Sequence, residues 1–127
     1  MVEFLIVGVG GFIGSCARYG LTRITNGFNI TFPLGTLLSN VIAGLCIGFI
    51  IGLEQQSTLI SPRTKLFLTT GLLGGMSTFS TFSLETVSLF QGGKYLLAVG
   101  NILLNLILCL LGVVLGMFMA KLVVRKA

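Results

Sequence analysis

Histidine and tryptophan are absent from the chain, and its only carboxylates are Glu3, Glu54 and Glu85. Without imidazole, and with carboxylates this sparse, a catalytic metal centre or a nucleophile–base–acid triad has no material to be built from. No enzyme is expected. Charge of either sign is scarce: Lys, Arg, Asp and Glu make up 9% of the residues, where a soluble domain carries about a quarter. That is too little to clothe a water-facing surface, and it places the chain in the membrane class. The net charge of +5 comes with no basic cluster interleaved with aromatics, so it gives no nucleic-acid signal. Cys16, Cys46 and Cys109 each fall inside an apolar stretch and read as small reduced apolar residues rather than ligands or disulfides.

Long charge-free intervals take the place of charge. None occurs between Arg23 and Glu54, between Lys65 and Glu85, or between Lys94 and Lys121. A membrane-crossing helix needs roughly 20 predominantly apolar residues. Four spans are expected, at about 2–22, 33–53, 64–90 and 95–121, within a single integral membrane domain over 1–127. The first stretch carries Glu3 where a signal peptide has basic residues, and no small-x-small cleavage pattern follows it, so it reads as a mature span. Both termini and the loop between spans 2 and 3 then share one side. That side holds Arg63, Lys65, Lys121, Arg125 and Lys126, against Arg18, Arg23 and Lys94 on the other. The bias weakly favours cytoplasmic termini and is small enough for the chain to insert in either orientation.

Residues four apart share a helix face. Span 2 sets Thr36, Asn40, Gly44, Gly48 and Gly52 on one such line, and span 1 sets Gly10, Gly14 and Arg18. In span 4, Asn101, Asn105 and Cys109 follow the same rule, with Gly112 and Gly116 on a neighbouring face. Small residues at this spacing let transmembrane helices approach closely, which accounts for the glycines. It accounts less well for Asn40, Asn101 and Asn105, since amides in lipid need a partner or water. They serve either as interhelical hydrogen bonds or as a polar path. Arg18 either snorkels to the interface or supplies a fixed positive field for anions.

The segment Gly71–Glu85, "GLLGGMSTFSTFSLE", departs most from its surroundings. Gly71, Gly74 and Gly75 precede the hydroxyl run of Ser77, Thr78, Ser80, Thr81 and Ser83, with Phe79 and Phe82 between. Glycine weakens helix interiors, so the third span is expected to break near its middle. Backbone exposed by such a break is tolerated in a membrane only where it meets protein or water, and half-helix ends of this kind recur as ion sites. Phe79 and Phe82, three apart, share a face. They serve as ordinary packing aromatics, or they turn positive ring edges towards a small anion.

The runs "GGMSTFSTFSLE" (74–85), "GTLLSNVIAG" (35–44) and "GGFIGSCARY" (10–19) strongly resemble the Fluc (CrcB-type) fluoride channels of microbes, over essentially the whole chain. The resemblance implies an all-α fold whose third of four spans is broken, assembled as an antiparallel dual-topology homodimer with two fluoride pores. It implies multi-pass residence in the cytoplasmic (inner) membrane of a microbe, and passive fluoride export that lowers toxicity. It carries the fluoride pathway onto Asn40, Phe79 and Phe82, with a hydroxyl track at Ser80, Thr81 and Ser83. Thr36 and Asn105 are expected beside that pathway, Asn101 as a further lining residue, and Arg18 and Glu85 in the vestibules. A structural Na+ is implied on the dimer axis, held by backbone carbonyls of Gly74 and Ser77. The partners implied are fluoride, an identical subunit and the lipid bilayer.

Two rival readings use the same four-span layout. A small multidrug-type cation exporter needs a protonatable carboxylate deep in span 1. None lies between Glu3 and Arg18. A non-transporting membrane assembly protein would use the glycine lines alone and leave the hydroxyl run without a role.

Overall fold

The computed structural model describes residues 1–56 and 60–126, and every element among them is helical. The helices are α1 (Val2–Asn26), α2 (Leu34–Glu54), α3 (Pro62–Lys65), α4 (Gly74–Met76), α5 (Phe79–Gln91) and α6 (Tyr95–Lys126), with a π-helical segment, Leu66–Leu73, joining α3 to α4. Residues 57–59, in the loop between spans 2 and 3, lie outside the described residues. Three helices, α1, α2 and α6, are long and apolar enough to cross a membrane. The 21 residues of α2 extend about 32 Å at the helical rise, matching the roughly 30 Å hydrocarbon core.

Sequence and helix ends agree locally. α1 carries Glu3 in its first turn and Arg23 in its last, each favourable at that end of the helix dipole, and it runs past the expected boundary at residue 22. The third span starts where Ser61 accepts from the Thr64 N–H at 3.1 Å and Pro62 occupies the first turn, a position where its missing N–H is not needed. Beyond Lys65 the hydrogen-bond pattern widens into the π-helical turn, an arrangement frequent at functional sites. The helix then stops. Ser77 (φ −76°, ψ 151°) and Thr78 (φ −154°, ψ 120°) are extended. The third span is therefore a chain of short helical pieces, divided near its midpoint.

Glycine faces bring the backbones together. α2 and α6 form the most extensive helix pair. A Cβ on Gly44 would stand 3.1 Å from the Cys109 carbonyl, and one on Gly52 would stand 2.7 Å from Ala120 Cβ. α1 uses its glycine face against the third span: a Cβ on Gly10 would approach Gly71 Cα to 2.9 Å, and one on Gly75 would approach the Gly11 carbonyl to 2.6 Å. This is the small-residue packing expected where helix–helix association rests on close fit rather than on water exclusion. Ala43, Ile50 and Leu73 form the buried apolar cluster between these two pairs. The break is thereby fixed between α1 on one side and α2 and α6 on the other.

Candidate functional site

At the break, Thr78 leaves the helix and its backbone is taken over by a side chain from α2. Asn40 Oδ1 accepts the Thr78 N–H at 2.8 Å, and Asn40 Nδ2 donates to the Thr78 carbonyl at 3.3 Å. A primary amide is thus paired with both backbone polar groups of one residue, which satisfies backbone that the membrane could not. Asn40 Nδ2 also donates to Asn105 Oδ1 of α6 at 2.9 Å. Thr78 starts the second half-helix as well, its hydroxyl accepting from the Thr81 N–H at 3.3 Å. That is the side-chain cap a helix beginning in mid-membrane requires.

A cleft of about 350 Å³ opens beside this clamp, bounded by Asn40 and Gly44 of α2, Ser77 to Phe79 and Phe82 of the third span, and Asn105 and Cys109 of α6. The two rings lie 5.4 Å apart between centroids, with planes inclined at 53°, and both border the cleft. They differ in setting: Phe82 is 7% exposed and Phe79 76%. One ring is part of the subunit core, and the other stands on its surface.

Of the residues singled out from the sequence, Asn40, Phe79, Phe82, Asn105 and Ser77 come together around this cleft. Ser80, Thr81 and Ser83 do not border it. The Thr78 hydroxyl donates to Thr81 Oγ1 at 3.0 Å, Ser80 Oγ lies 3.3 Å from Thr78 Oγ1, and Ser83 Oγ donates to the Phe79 carbonyl of its own helix at 2.9 Å. Thr36 and Glu85 meet each other instead: Thr36 Oγ1 donates to Glu85 Oε1 at 2.8 Å. Glu85 Oε2 is buried without a partner among the described residues. Arg18 lies against the break, with Nε 3.4 Å from the Gly75 carbonyl, where Ser15 Oγ also reaches at 3.5 Å.

The break also frees backbone carbonyls, those of Gly74 and Ser77 among them. In a continuous helix the Thr78 N–H would bond to Gly74 and the Thr81 N–H to Ser77. Both are diverted, to Asn40 Oδ1 and to Thr78 Oγ1. Gly74 and Ser77 therefore each keep a carbonyl oxygen stripped of its helical donor, the kind of ligand a hard cation takes. The residues present fit the Na+ that the resemblance implies.

The roles of Thr78 and Thr86 escape a reading of the sequence, and that of Asn101 differs from the expected one. Thr78 appears there only as one hydroxyl among five, whereas its backbone is the centre of the site. Asn101 is fully buried rather than lining the cleft, and Thr86, also buried, is its partner at 2.9 Å. Only spacing could have drawn attention to Thr86, which shares a face with the buried Phe82 and Leu89.

These features define a multi-pass helical membrane protein with a side-chain-clamped break in its third span. The family model described as CrcB-like protein, Camphor Resistance (CrcB), matches residues 5–117. The chain is 48% identical over 124 residues to the fluoride-specific ion channel FluC of Clostridium novyi (strain NT), covering 97% of each. It is 47% identical over 122 residues to the FluC of Ruminiclostridium cellulolyticum, covering 95% of this chain and 94% of the relative. To the FluC of Serratia proteamaculans it is 44% identical over 104 residues, 82% of each. The chain belongs to the CrcB family.

Proposed function

We propose that this protein is a fluoride-selective passive channel that lets fluoride leave the cytoplasm of a microbe through its inner membrane. The observation that carries the reading is the Asn40–Thr78 clamp, which holds amide hydrogens beside two inclined aromatic rings at a break in the membrane. Fluoride entering such a site loses water and needs donors in return. Asn40 can supply one at modest cost, because its 3.3 Å bond to the Thr78 carbonyl is the longer of its two donations. An ion can take that hydrogen over while the 2.9 Å bond to Asn105 keeps the amide in place. Positive ring edges of Phe82 and Phe79 then offer further weak stations, and several weak sites favour passage over trapping.

The pathway in this proposal comprises Asn40, Phe79, Phe82 and Asn105. Ser80, Thr81, Ser83 and Thr36 form a hydroxyl track along α5 and α2 that leads away from the cleft, with Arg18 and Glu85 near its approaches. The working unit is an antiparallel, dual-topology homodimer with two pores. Two features support this: Phe79 stands on the surface of a single subunit, and the Gly74 and Ser77 carbonyls of one chain are too few to surround a cation. A second copy related by an axis through the break would cover the ring and double the carbonyls around a structural Na+. When bound there, the ion supplies positive charge that ties the two breaks together.

Growth tests the export role. Neutral HF crosses membranes and dissociates inside, so cells without an exporter accumulate fluoride in mildly acidic medium. Expression of this protein should restore growth of such cells at fluoride concentrations that stop them otherwise. If the protein reaches the membrane in quantity and growth is not restored, the export role is wrong.

A further inference from the structure

We propose that Asn101 is a positioning residue for fluoride conduction, acting from behind the cleft by tethering α6 to the ring-bearing turn of α5 and fixing the sense of the amide chain that ends at Asn40. The proposal rests on the fluoride reading above. Asn101 is 0% exposed, and its neighbours Asn105 and Thr86 are 5% and 6% exposed. Asn101 does not touch the cleft.

Six hydrogen bonds run through these residues in one direction. The Thr78 N–H donates to Asn40 Oδ1 at 2.8 Å, and Asn40 Nδ2 to Asn105 Oδ1 at 2.9 Å. Asn105 Nδ2 donates to Asn101 Oδ1 at 2.9 Å and to the Asn101 carbonyl at 3.0 Å. Asn101 Nδ2 donates to Thr86 Oγ1 at 2.9 Å, and Thr86 Oγ1 to the Phe82 carbonyl at 2.8 Å. The two ends of an amide are nearly alike in shape, so its orientation is decided by its partners. Here backbone groups decide it at both ends. The Thr78 N–H can only donate, and the Phe82 and Asn101 carbonyls can only accept. Turning Asn105 over would set its NH₂ against that of Asn40 and its oxygen against the Asn101 carbonyl. The chain therefore has one sense, and in that sense the cleft meets the hydrogens of Asn40.

The Asn101–Thr86 bond is also the one hydrogen bond among the described residues that joins α5 to α6. It links the helix carrying Phe82 to the helix carrying Asn105. Without it the ring and the amide lose their common reference, and Asn105 keeps a single backbone acceptor to hold its orientation.

Fluoride efflux from liposomes tests this with Asn101→Leu, Thr86→Val, Thr86→Ser and the Asn101→Leu/Thr86→Val pair. Asn101→Leu and Thr86→Val should each lower maximal flux about tenfold, the factor attached to one buried hydrogen bond with its partner left unpaired. The half-saturating fluoride concentration should stay put, since neither residue touches the ion. The double variant should be no slower than the slower single one, as members of one unit are not additive. Thr86→Ser keeps the hydroxyl and should stay within about twofold of the unaltered protein. Unchanged flux in Asn101→Leu would overturn the proposal. So would a Thr86→Ser as slow as Thr86→Val, or a double variant whose loss is the product of the two. If Asn101→Leu does not fold, the Thr86→Val and Thr86→Ser comparison decides alone. No fluoride flux through the unaltered protein would end the fluoride reading and this proposal with it, whereas normal flux through both single variants would end only this proposal.

Discussion

Asn40→Leu should reduce fluoride flux by at least about a hundredfold while leaving a protein that still inserts and purifies. Two losses combine. The Thr78 N–H forfeits its 2.8 Å acceptor, and a buried donor left unpaired costs about 1–3 kcal/mol. The ion loses the Asn40 Nδ2 hydrogen, and a hydrogen bond to a charged group contributes about 1.5–3 kcal/mol. Together they raise the barrier by about 3 kcal/mol, which is roughly a hundredfold in rate. Asn40→Asp separates the two losses. An aspartate can still accept from Thr78 but has no hydrogen to donate and places a negative charge on an anion path, so its flux should be at least as low. Efflux from liposomes reports both variants, with monodispersity in detergent as the check on folding. Near-normal flux in Asn40→Leu would remove the clamp from the mechanism.

The second large effect belongs to packing. Gly14→Val should abolish folded protein. A Cβ at Gly14 would come within 2.9 Å of the Met76 nitrogen and closer still to the Leu72 carbonyl. Both are backbone atoms of the third span, so nothing flexible can give way. Valine adds two methyl groups to that overlap, and overpacking of this kind costs about 1–3 kcal/mol or more even in tolerant cores. Because the contact is the seat of the break, α1 would be pushed off the π-helical segment and α4 together. Gly20→Ala is the matched control: nothing lies within 4 Å of a Cβ there, and alanine is the better helix former, so stability should hold or rise by up to about 1 kcal/mol. Thermal unfolding in detergent compares the two. A Gly14→Val protein as stable as Gly20→Ala would contradict the α1 packing.

How much of this was legible in the residues varies with the kind of interaction. Apolar runs separated by rare charges place α1, α2 and α6 well, because span length is set by the bilayer and scarcely by the fold. The glycines and hydroxyls of 71–85 announce a break, since both weaken a helix wherever they stand. They do not show that α1 supplies the seat for it. Gly10, Gly11 and Gly14 look like any small-residue stripe until Gly71 and Gly75 are set against them. Hydrogen-bond partners were the least readable. Asn40, Asn101 and Asn105 stand out as polar residues in lipid, but which group each one faces depends on the three-dimensional approach of α2, α5 and α6. Thr86 has no distinguishing local feature, and Thr78 matters through its backbone, which no side-chain pattern reports. Ser83 shows the converse. It belongs to the hydroxyl run and spends its proton on its own helix, a habit of serine in apolar helices. Arg18 reads as a residue near a span end, yet it reaches the Gly75 carbonyl because α1 continues to Asn26.

The initial rate of fluoride efflux from liposomes carrying the purified protein, with chloride as the only alternative anion in a parallel preparation, tests the central claim most directly. A break that sets an amide donor and two inclined aromatic rings around one cleft suits a small, strongly hydrogen-bonding anion under the proposed mechanism, so fluoride should leave rapidly and chloride should stay at the rate of protein-free vesicles. Equal rates for the two ions, or no fluoride efflux at all, would contradict it.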